Sequence, residues 1–206
     1  GLKADAKAEA KGTNAGTYQM GLTKDSFENK NANFAVTFVV TDGWLKIDKN
    51  EAKVTVTIKG NKKTETYTGT EKKVTGYTTE VTGAKGSEVN VALKADAKAE
   101  AKGTNAGTYQ MGLTKDSFKV TSNNYKNINV VVEDGSLKIN PAEVTVTITG
   151  NKKTDTYDGT EKSVTGYTSE KTNNLYTDAD FGLKADAKAE AKGTNAGTYQ
   201  MGLTKD

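Results

Sequence analysis

Branched apolar residues alternate with threonine in two short stretches of the chain, residues 54–58 and 144–148. A hydrophobic period of two is the pattern of a β-strand with one buried face. We expect the apolar positions of both stretches to face a core: Val54, Val56, Ile58, Val144, Val146 and Ile148. The pattern thus predicts two copies of one core strand.

Asp-Gly pairs interrupt two other apolar stretches. Asp42-Gly43 separates residues 38–41 from residues 44–47, and Asp134-Gly135 occurs in the same setting. Because Asp-Gly supplies the positive φ angles of a two-residue turn, each pair predicts a β-hairpin. Leu45 and Ile47 should then point inward.

Residues 3–11 consist of alanine alternating with charged residues, and propensity alone favours a helix there. A helix, however, would stack like charges four residues apart, at about 0.2–0.5 kcal/mol for each pair. A strand would place charges of alternating sign on one face and alanine on the other. We therefore predict a strand over residues 3–11. A turn at residues 12–16 should then reverse the chain, so that residues 17–22 form the partner strand of a hairpin. Tyr18, Met20 and Leu22 should share one face of that partner.

The strongest signal is internal repetition. Residues 2–27 recur unchanged as residues 93–118, and residues 183–206 repeat them again, so the copies start 91 and then 90 residues apart. A unit of this size is that of a small domain. One frame gives the back part of a unit at 1–50, a complete unit at 51–141 and the front part of the next at 142–206. The alternative frame is 1–91, 92–181 and a trailing hairpin 182–206.

Short strands with frequent turn signals predict an all-β fold. We expect tandem small β-sandwich (Ig-like) repeats of about 90 residues. The alternatives are β-grasp-like repeats or strand-swapped repeats.

The amino-acid composition excludes several kinds of catalytic and binding site. The chain has no Cys and no His, and all 29 of its basic residues are Lys. It therefore lacks a disulfide framework, the commonest general base and the bidentate donor of phosphate recognition. Lysines interleave with acids to a net charge of +3, which predicts a solvated surface without nucleic-acid binding. We expect no enzyme activity, no cofactor and no membrane insertion in this segment.

Two features of the sequence are candidate sites. Asp178 and Asp180 could offer oxygen ligands to Ca²⁺, but a calcium loop needs more ligands, and a solvated loop is preferred. Trp44 faces away from Leu45 and Ile47 by alternation, and Ser136 occupies its place in the next unit. Trp44 is thus the one candidate contact residue, toward a ligand or toward a neighbouring repeat, beside the interpretation of a ring lying on the sheet.

Several motifs carry a family resemblance: Tyr157-Asp158-Gly159 with residues 160–167, residues 193–199, Asn124-Tyr125, residues 134–139 and Pro141. In this order they resemble the YDG and MBG-type repeats of bacterial, Gram-positive-like, cell-surface adhesins. Thr68 replaces the acid of Asp158 in the earlier copy, and Phe34 stands in place of Tyr125. The resemblance implies repeat arrays on cell-wall-anchored or secreted proteins, located outside the cell, without known catalysis.

The expected function is a structural stalk that holds a distal adhesive region away from the cell, with neighbouring repeats of the same protein as partners. One alternative is that the repeats themselves bind host glycan or matrix protein. Another is homo-assembly into a fibre by strand exchange, for example of the hairpin 182–206.

Overall fold

The computed structural model describes residues 1–203, and this part of the chain is all-β. Its strands are β1 Gly16–Gln19, β2 Trp44–Ile47, β3 Val54–Gly60, β4 Lys62–Thr66, β5 Lys72–Thr75, β6 Tyr77–Thr82, β7 Asn90–Leu93, β8 Glu100–Gly103, β9 Gly107–Gln110, β10 Phe118–Thr121, β11 Ile128–Glu133, β12 Ser136–Asn140, β13 Val146–Gly150, β14 Lys162–Thr165, β15 Tyr167–Lys171 and β16 Glu190–Gly193. Single 3-10 turns occur at Lys24–Ser26, Gly86–Glu88, Lys115–Ser117 and Asp178–Asp180. No helix within residues 1–203 is long and apolar enough to cross a membrane.

The core is built on β3, the middle strand of a three-stranded sheet. β6 pairs with one edge of β3 in antiparallel orientation, and β11 pairs with the other edge in parallel. Val54, Val56 and Ile58 have no exposed surface. The predicted core face of this strand is confirmed.

The inward face of the sheet packs against Val89, Leu113 and Phe118. The rings of Tyr77 and Phe118 meet edge to face, with centroids 5.0 Å apart. Leu113, the counterpart of Leu22 in the second copy, is buried.

The second copy of the core strand is less buried than predicted. Val144 and Val146 are half-buried, and Ile148 is 41% exposed. Within residues 1–203, β13 pairs only with β15, in the register that β3 makes with β6. The prediction of a buried Ile148 was therefore wrong, because the other edge of its strand has no neighbour there.

The Asp-Gly pairs do not form hairpins. β11 pairs with β3, whereas β12 lies between β4 and β9 in a different sheet, and β2 pairs with β1. Gly135 does not have a positive φ; it allows a close approach, because a Cβ there would lie 2.5 Å from Met111 Sδ and 2.6 Å from the Asn61 carbonyl oxygen.

The aspartate of the pair holds in place the segment that passes from the sheet of β11 to the sheet of β12. One carboxylate oxygen of Asp134 accepts the Leu113 N–H at 2.8 Å, and the other accepts the Gly112 N–H at 3.0 Å. Asp42 makes the same two bonds to residues 21 and 22. The Asp-Gly pair thus carries the chain from one sheet to the next.

The alanine-rich segment is not helical, but it forms a shorter strand than predicted. In the middle copy a turn closes from the Ala97 N–H to the Lys94 carbonyl, and strand β8 follows. Ala101 is buried while Lys98 and Lys102 are exposed, so the predicted division of faces holds in this copy. Residues 3–11 of the first copy contain no strand.

The predicted pairing of this segment with its following strand was wrong. β8 pairs with β5, while β9 joins β12. The turn between β8 and β9 thus connects two sheets and does not close a hairpin.

The chain divides into two compact units. The first contains Gly1–Glu65, Lys72–Gly103 and Gly107–Lys138, and the second contains Thr66–Glu71, Thr104–Ala106 and the chain from Ile139 onward. The sequence-predicted boundaries 1–50, 51–141 and 142–206 stay a prediction, as does the alternative frame. Residues 204–206, which belong to the last repeat copy and to the predicted exchange hairpin 182–206, lie outside the described part.

Candidate interaction surface

Trp44 opens strand β2, opposite Gln19 of β1. Its side chain is 60% exposed, a large apolar ring on the outside of a two-stranded sheet. Its role as a contact residue stays a prediction.

A hydrogen-bonded contact joins the first repeat segment to the next, within the first compact unit. We call it the joint. Its members are Asn14, Ala15, Lys49, Asn50 and Glu51 on one side, and Glu88, Ser122, Asn124, Tyr125 and Lys126 on the other.

The backbone of the joint is a short parallel bridge between Asn50 and Tyr125. The Asn50 N–H donates to the Asn124 carbonyl at 2.7 Å, and the Lys126 N–H donates to the Asn50 carbonyl at 3.0 Å. These two bonds fix the chain just before the core strand β3 begins.

The side chain of Asn124 is the centre of the joint. Its Oδ1 accepts the Ala15 N–H at 2.9 Å, and its Nδ2 donates to Asn14 Oδ1 at 3.0 Å and to Glu88 Oε1 at 3.4 Å. One amide thus connects a turn of the first repeat segment to two loops of the second. Removing it would break all three bonds at once.

The loop around Asn124 is itself braced. Ser122 Oγ donates to the Glu88 carbonyl at 2.7 Å and accepts the N–H groups of Asn124 and Tyr125, each at 3.2 Å. Lys49 Nζ donates to the Ser122 carbonyl at 2.8 Å. The loop that carries Asn124 is therefore held both by Ser122 within its own segment and by Lys49 of the first segment.

The ion pair of the joint adds little. Lys126 Nζ lies 3.0 Å from Glu51 Oε1, but the two side chains are 64% and 73% exposed. Exposed pairs of this kind contribute about 0–1 kcal/mol. Most of the joint's stability therefore comes from its other hydrogen bonds, and those between uncharged groups are not screened by salt.

A tyrosine anchors the turn that carries Asn14. The Tyr18 hydroxyl donates to the Asn14 carbonyl at 2.8 Å, and the Tyr199 hydroxyl makes the same bond to Asn195 at 3.0 Å. The ring lies flat over a glycine: a Cβ at Gly103 would stand 2.2 Å from Cζ of Tyr109 in the middle copy. In all three copies the tyrosine ring thus lies over the glycine that precedes the turn.

The acid of the Tyr-Asp-Gly motif shapes a turn. Asp158 accepts from the Thr160 N–H at 3.0 Å, from the Thr160 hydroxyl at 2.6 Å and from Lys162 Nζ at 2.6 Å. The bond from Lys162, followed by those from Thr160, lowers the pKa of Asp158 to about 2. In the earlier copy the hydroxyls of Thr68 and Thr70 lie 2.9 Å apart, so the acid has a neutral substitute there.

Asp178 and Asp180, the candidate calcium ligands of the sequence, have local partners. Asp180 Oδ2 accepts the Thr177 N–H at 2.7 Å and caps a 3-10 turn, which holds its pKa below the ordinary value. Asp178 accepts from Lys171 and from Ser169, and its pKa is lowered by these bonds as well. Among residues 1–203 no three acidic side chains converge as a metal site.

Sequence reasoning missed the joint. Asn14 and Asn124 both stand in turns, where asparagine is common for local reasons. The one sequence feature that pointed to this region is the Asn124-Tyr125 pair, which is among the motifs that resemble the YDG and MBG-type repeats. The fold was needed to bring the two turns together.

Residues 53–141 match the family model described as MBG domain. A comparison with curated proteins and one with solved structures gave no match. The matched segment spans β3 to β12 and contains the core sheet. The resemblance predicted from the sequence is therefore confirmed for residues 53–141, which match the MBG domain family.

Proposed function

We propose that the chain is a non-enzymatic structural stalk, a spacer of repeats in a bacterial cell-surface or secreted fibrous adhesin. The match to the MBG domain supports a repeat of surface proteins. Near-identical segments about 90 residues apart suit a protein whose length is set by copy number. In this proposal the protein lies outside the cell and its partners are its own neighbouring repeats.

The joint is the observation that carries the proposal. A spacer must transmit force and direction from one repeat to the next, and a flexible linker does neither. Here the Asn50–Tyr125 bridge and the two bonds from Asn124 to Asn14 and Ala15 connect successive repeat segments without a linker. The contact is local, as nearest-neighbour coupling in a repeat array requires.

The finer fold belongs to the same proposal. Two three-stranded sheets within one repeat, β11-β3-β6 and β4-β12-β9, support a small sandwich. The parallel pairing of β11 with β3 differs from the antiparallel sheets of an immunoglobulin-like sandwich. That pair favours the β-grasp-like alternative, because β-grasp folds contain a mixed sheet.

Small-angle scattering on arrays with increasing repeat number tests the stalk. We expect the maximum dimension to grow by a constant increment for each added repeat. Asn124→Ala should broaden the distribution of dimensions, whereas Asn123→Ala should not, because the Asn123 side chain is exposed. A maximum dimension that stays nearly constant as repeats are added would refute the proposal.

A second candidate, a repeat that binds host glycan or matrix protein, is favoured by one observation: the exposed ring of Trp44. Glycan and matrix arrays probed with the chain and with Trp44→Ser separate the two functions. Ser is the matched substitution, since Ser136 occupies that strand position in the next repeat. Binding that disappears in the variant supports the second candidate, and no binding by either protein removes it.

A further inference from the structure

We propose that the parallel pair of β3 and β11 is the load-bearing element of the repeat, placed so that tension along the chain shears the two strands past each other. We call this pair the clamp. The inference rests on the proposed stalk function and deepens it, because a stalk that holds an adhesive region away from the cell is pulled from its two ends. Both strands of the clamp lie inside the segment that matches the MBG domain.

The two strands of the clamp stand near opposite ends of the MBG segment. β3 begins directly after the start of residues 53–141, and β11 is followed by β12 and then by the end of that segment. Tension from the preceding repeat therefore enters at β3, and tension from the following repeat enters through β12 and β11. Residues 60–127 lie between the two strands and are extended only after the clamp has separated.

Parallel pairing sets the direction of the load. Val54 lies opposite Ile128 at one end of the clamp, and Lys59 lies opposite Glu133 at the other end. The preceding repeat pulls on the beginning of β3, and the following repeat pulls on the end of β11, so the two forces act at opposite ends of the pair. They slide one strand along the other and load the evenly spaced cross-strand bonds together. An antiparallel pair of first and last strands would be pulled from one end and would open one bond at a time.

The backbone contact of the joint continues the clamp toward the preceding repeat. The Val54 N–H donates to the Asn127 carbonyl at 2.9 Å, which begins the ladder of the clamp. Before it, Asn50 and Tyr125 form a bridge that is parallel as well. The joint therefore lies in line with the clamp, and tension on the chain shears both contacts in the same direction.

The core protects the bonds of the clamp from water. Val54, Val56 and Ile58 have no exposed surface, and β6 covers the other edge of β3. A broken cross-strand bond costs less where water can replace the lost partner, because the freed N–H and C=O groups are then satisfied by the solvent. Water reaches β3 only after the core has opened, so the bonds of the clamp and the core must yield in one event.

The direction of pulling tests the proposal on the intact chain. The sequence contains no Cys, so two introduced cysteines provide the only thiols for attaching DNA handles in an optical trap. One variant, with Lys53→Cys and Glu133→Cys, is pulled at opposite ends of the clamp and shears it. The other variant, with Lys53→Cys and Lys126→Cys, is pulled at one end and peels the strands apart. All three side chains are exposed, so the substitutions leave the core unchanged.

The two variants are matched in the contacts that they lose. Glu133→Cys removes an ion pair with Lys59 at 3.7 Å, and Lys126→Cys removes one with Glu51 at 3.0 Å. Exposed ion pairs contribute little to stability, and urea unfolding of both variants checks that their free energies of unfolding agree. Forced unfolding is governed by the unfolding rate along the direction of pulling. A difference in rupture force at the same pulling rate therefore reports the direction of the load.

We expect the sheared variant to rupture at about twice the force of the peeled variant or more, because its cross-strand bonds are loaded together. The residues between the two strands should then be released in a single step. Equal rupture forces, or a lower force in shear, would overturn the clamp even where scattering on repeat arrays supports the stalk. Scattering that refutes the stalk would leave the difference between the two pulling directions unchanged, so the two proposals fail separately.

Discussion

The two copies of one isoleucine provide a matched test of what holds the fold together. Ile58 and Ile148 occupy the same position of the same strand pattern, but Ile58 is 0% exposed and Ile148 is 41% exposed. Substituting each by alanine changes intrinsic strand propensity equally. The difference between the two free-energy losses therefore isolates the effect of burial.

The expected magnitudes follow from the surroundings. Ile58→Ala leaves a cavity beneath a sheet with strands on both sides, and such changes cost about 2–5 kcal/mol, so we expect about 3–4 kcal/mol. Ile148→Ala removes about three methylene equivalents at about 0.8 kcal/mol each, and exposure reduces this sum to about 1–1.5 kcal/mol. The open edge leaves little enclosed cavity. The difference is about 2 kcal/mol, on the order of 30-fold in an opening equilibrium.

Native-state hydrogen exchange with peptide-level mass spectrometry, at increasing urea and low protein concentration, measures the opening free energy of β3 and of β13 separately. We expect Ile58→Ala to lower the opening free energy of β3 more than Ile148→Ala lowers that of β13. Each substitution should act within its own compact unit. Equal losses at the two positions would refute the reasoning that the second neighbouring strand, and not the local sequence, supplies the burial.

Three further outcomes are expected. Asn124→Ala should destabilise the joint by about 1–3 kcal/mol, measured as faster amide exchange at residues 14–16, because one substitution leaves several polar groups unpaired. The pKa of Asp158 in the folded protein is about 2, below its ordinary value, so its carboxylate should stabilise the turn above about pH 4 and lose this effect as the pH falls toward 2. A carboxyl NMR titration of the parent protein measures this pKa. In Asp158→Asn, amide exchange in the turn should no longer depend on pH in this range beyond the intrinsic exchange rate. Gly135→Ala should lower the melting temperature of the first unit strongly, because the new methyl group would meet the Asn61 carbonyl at 2.6 Å.

The core strand could be predicted because its signal is local. Alternating Val and Thr requires only that one face of a strand be buried, and Val54, Val56 and Ile58 meet that condition. The partners of the strand could not be predicted in the same way. β11 lies more than 70 residues further along the chain, and a period of two does not say whether a neighbour runs parallel or antiparallel.

The Asp-Gly pairs show how one motif serves two geometries. A short polar side chain next to a residue without Cβ suits a tight hairpin, and it equally suits a crossing where two backbones nearly touch. Asp134 caps the N–H groups of Gly112 and Leu113, which lie far from it in sequence. The carboxylate's partners, and hence the choice between the two geometries, are set by the tertiary fold.

The candidate site was harder to predict than the core. Trp44 is conspicuous because it is the single Trp of the sequence and Ser136 takes its place in the next unit, whereas Asn14 and Asn124 resemble any asparagine in a turn. Their roles arise from two turns that meet across 110 residues of sequence. The amino-acid composition cannot predict this contact, because the side-chain amide of each asparagine would be equally well solvated if it lay alone on the surface.

The repeated segment itself shows that partners determine its strands. Residues 2–27 and 93–118 are identical, and residues 183–203 continue the same sequence. The middle copy forms both β8 and β9, the first copy forms only β1 as the match of β9, and the described part of the last copy forms only β16 as the match of β8. In each case the strand is present where a neighbour exists: β5 or β14 for the first type, β12 or β2 for the second. Strand formation here follows cross-strand pairing more than intrinsic preference.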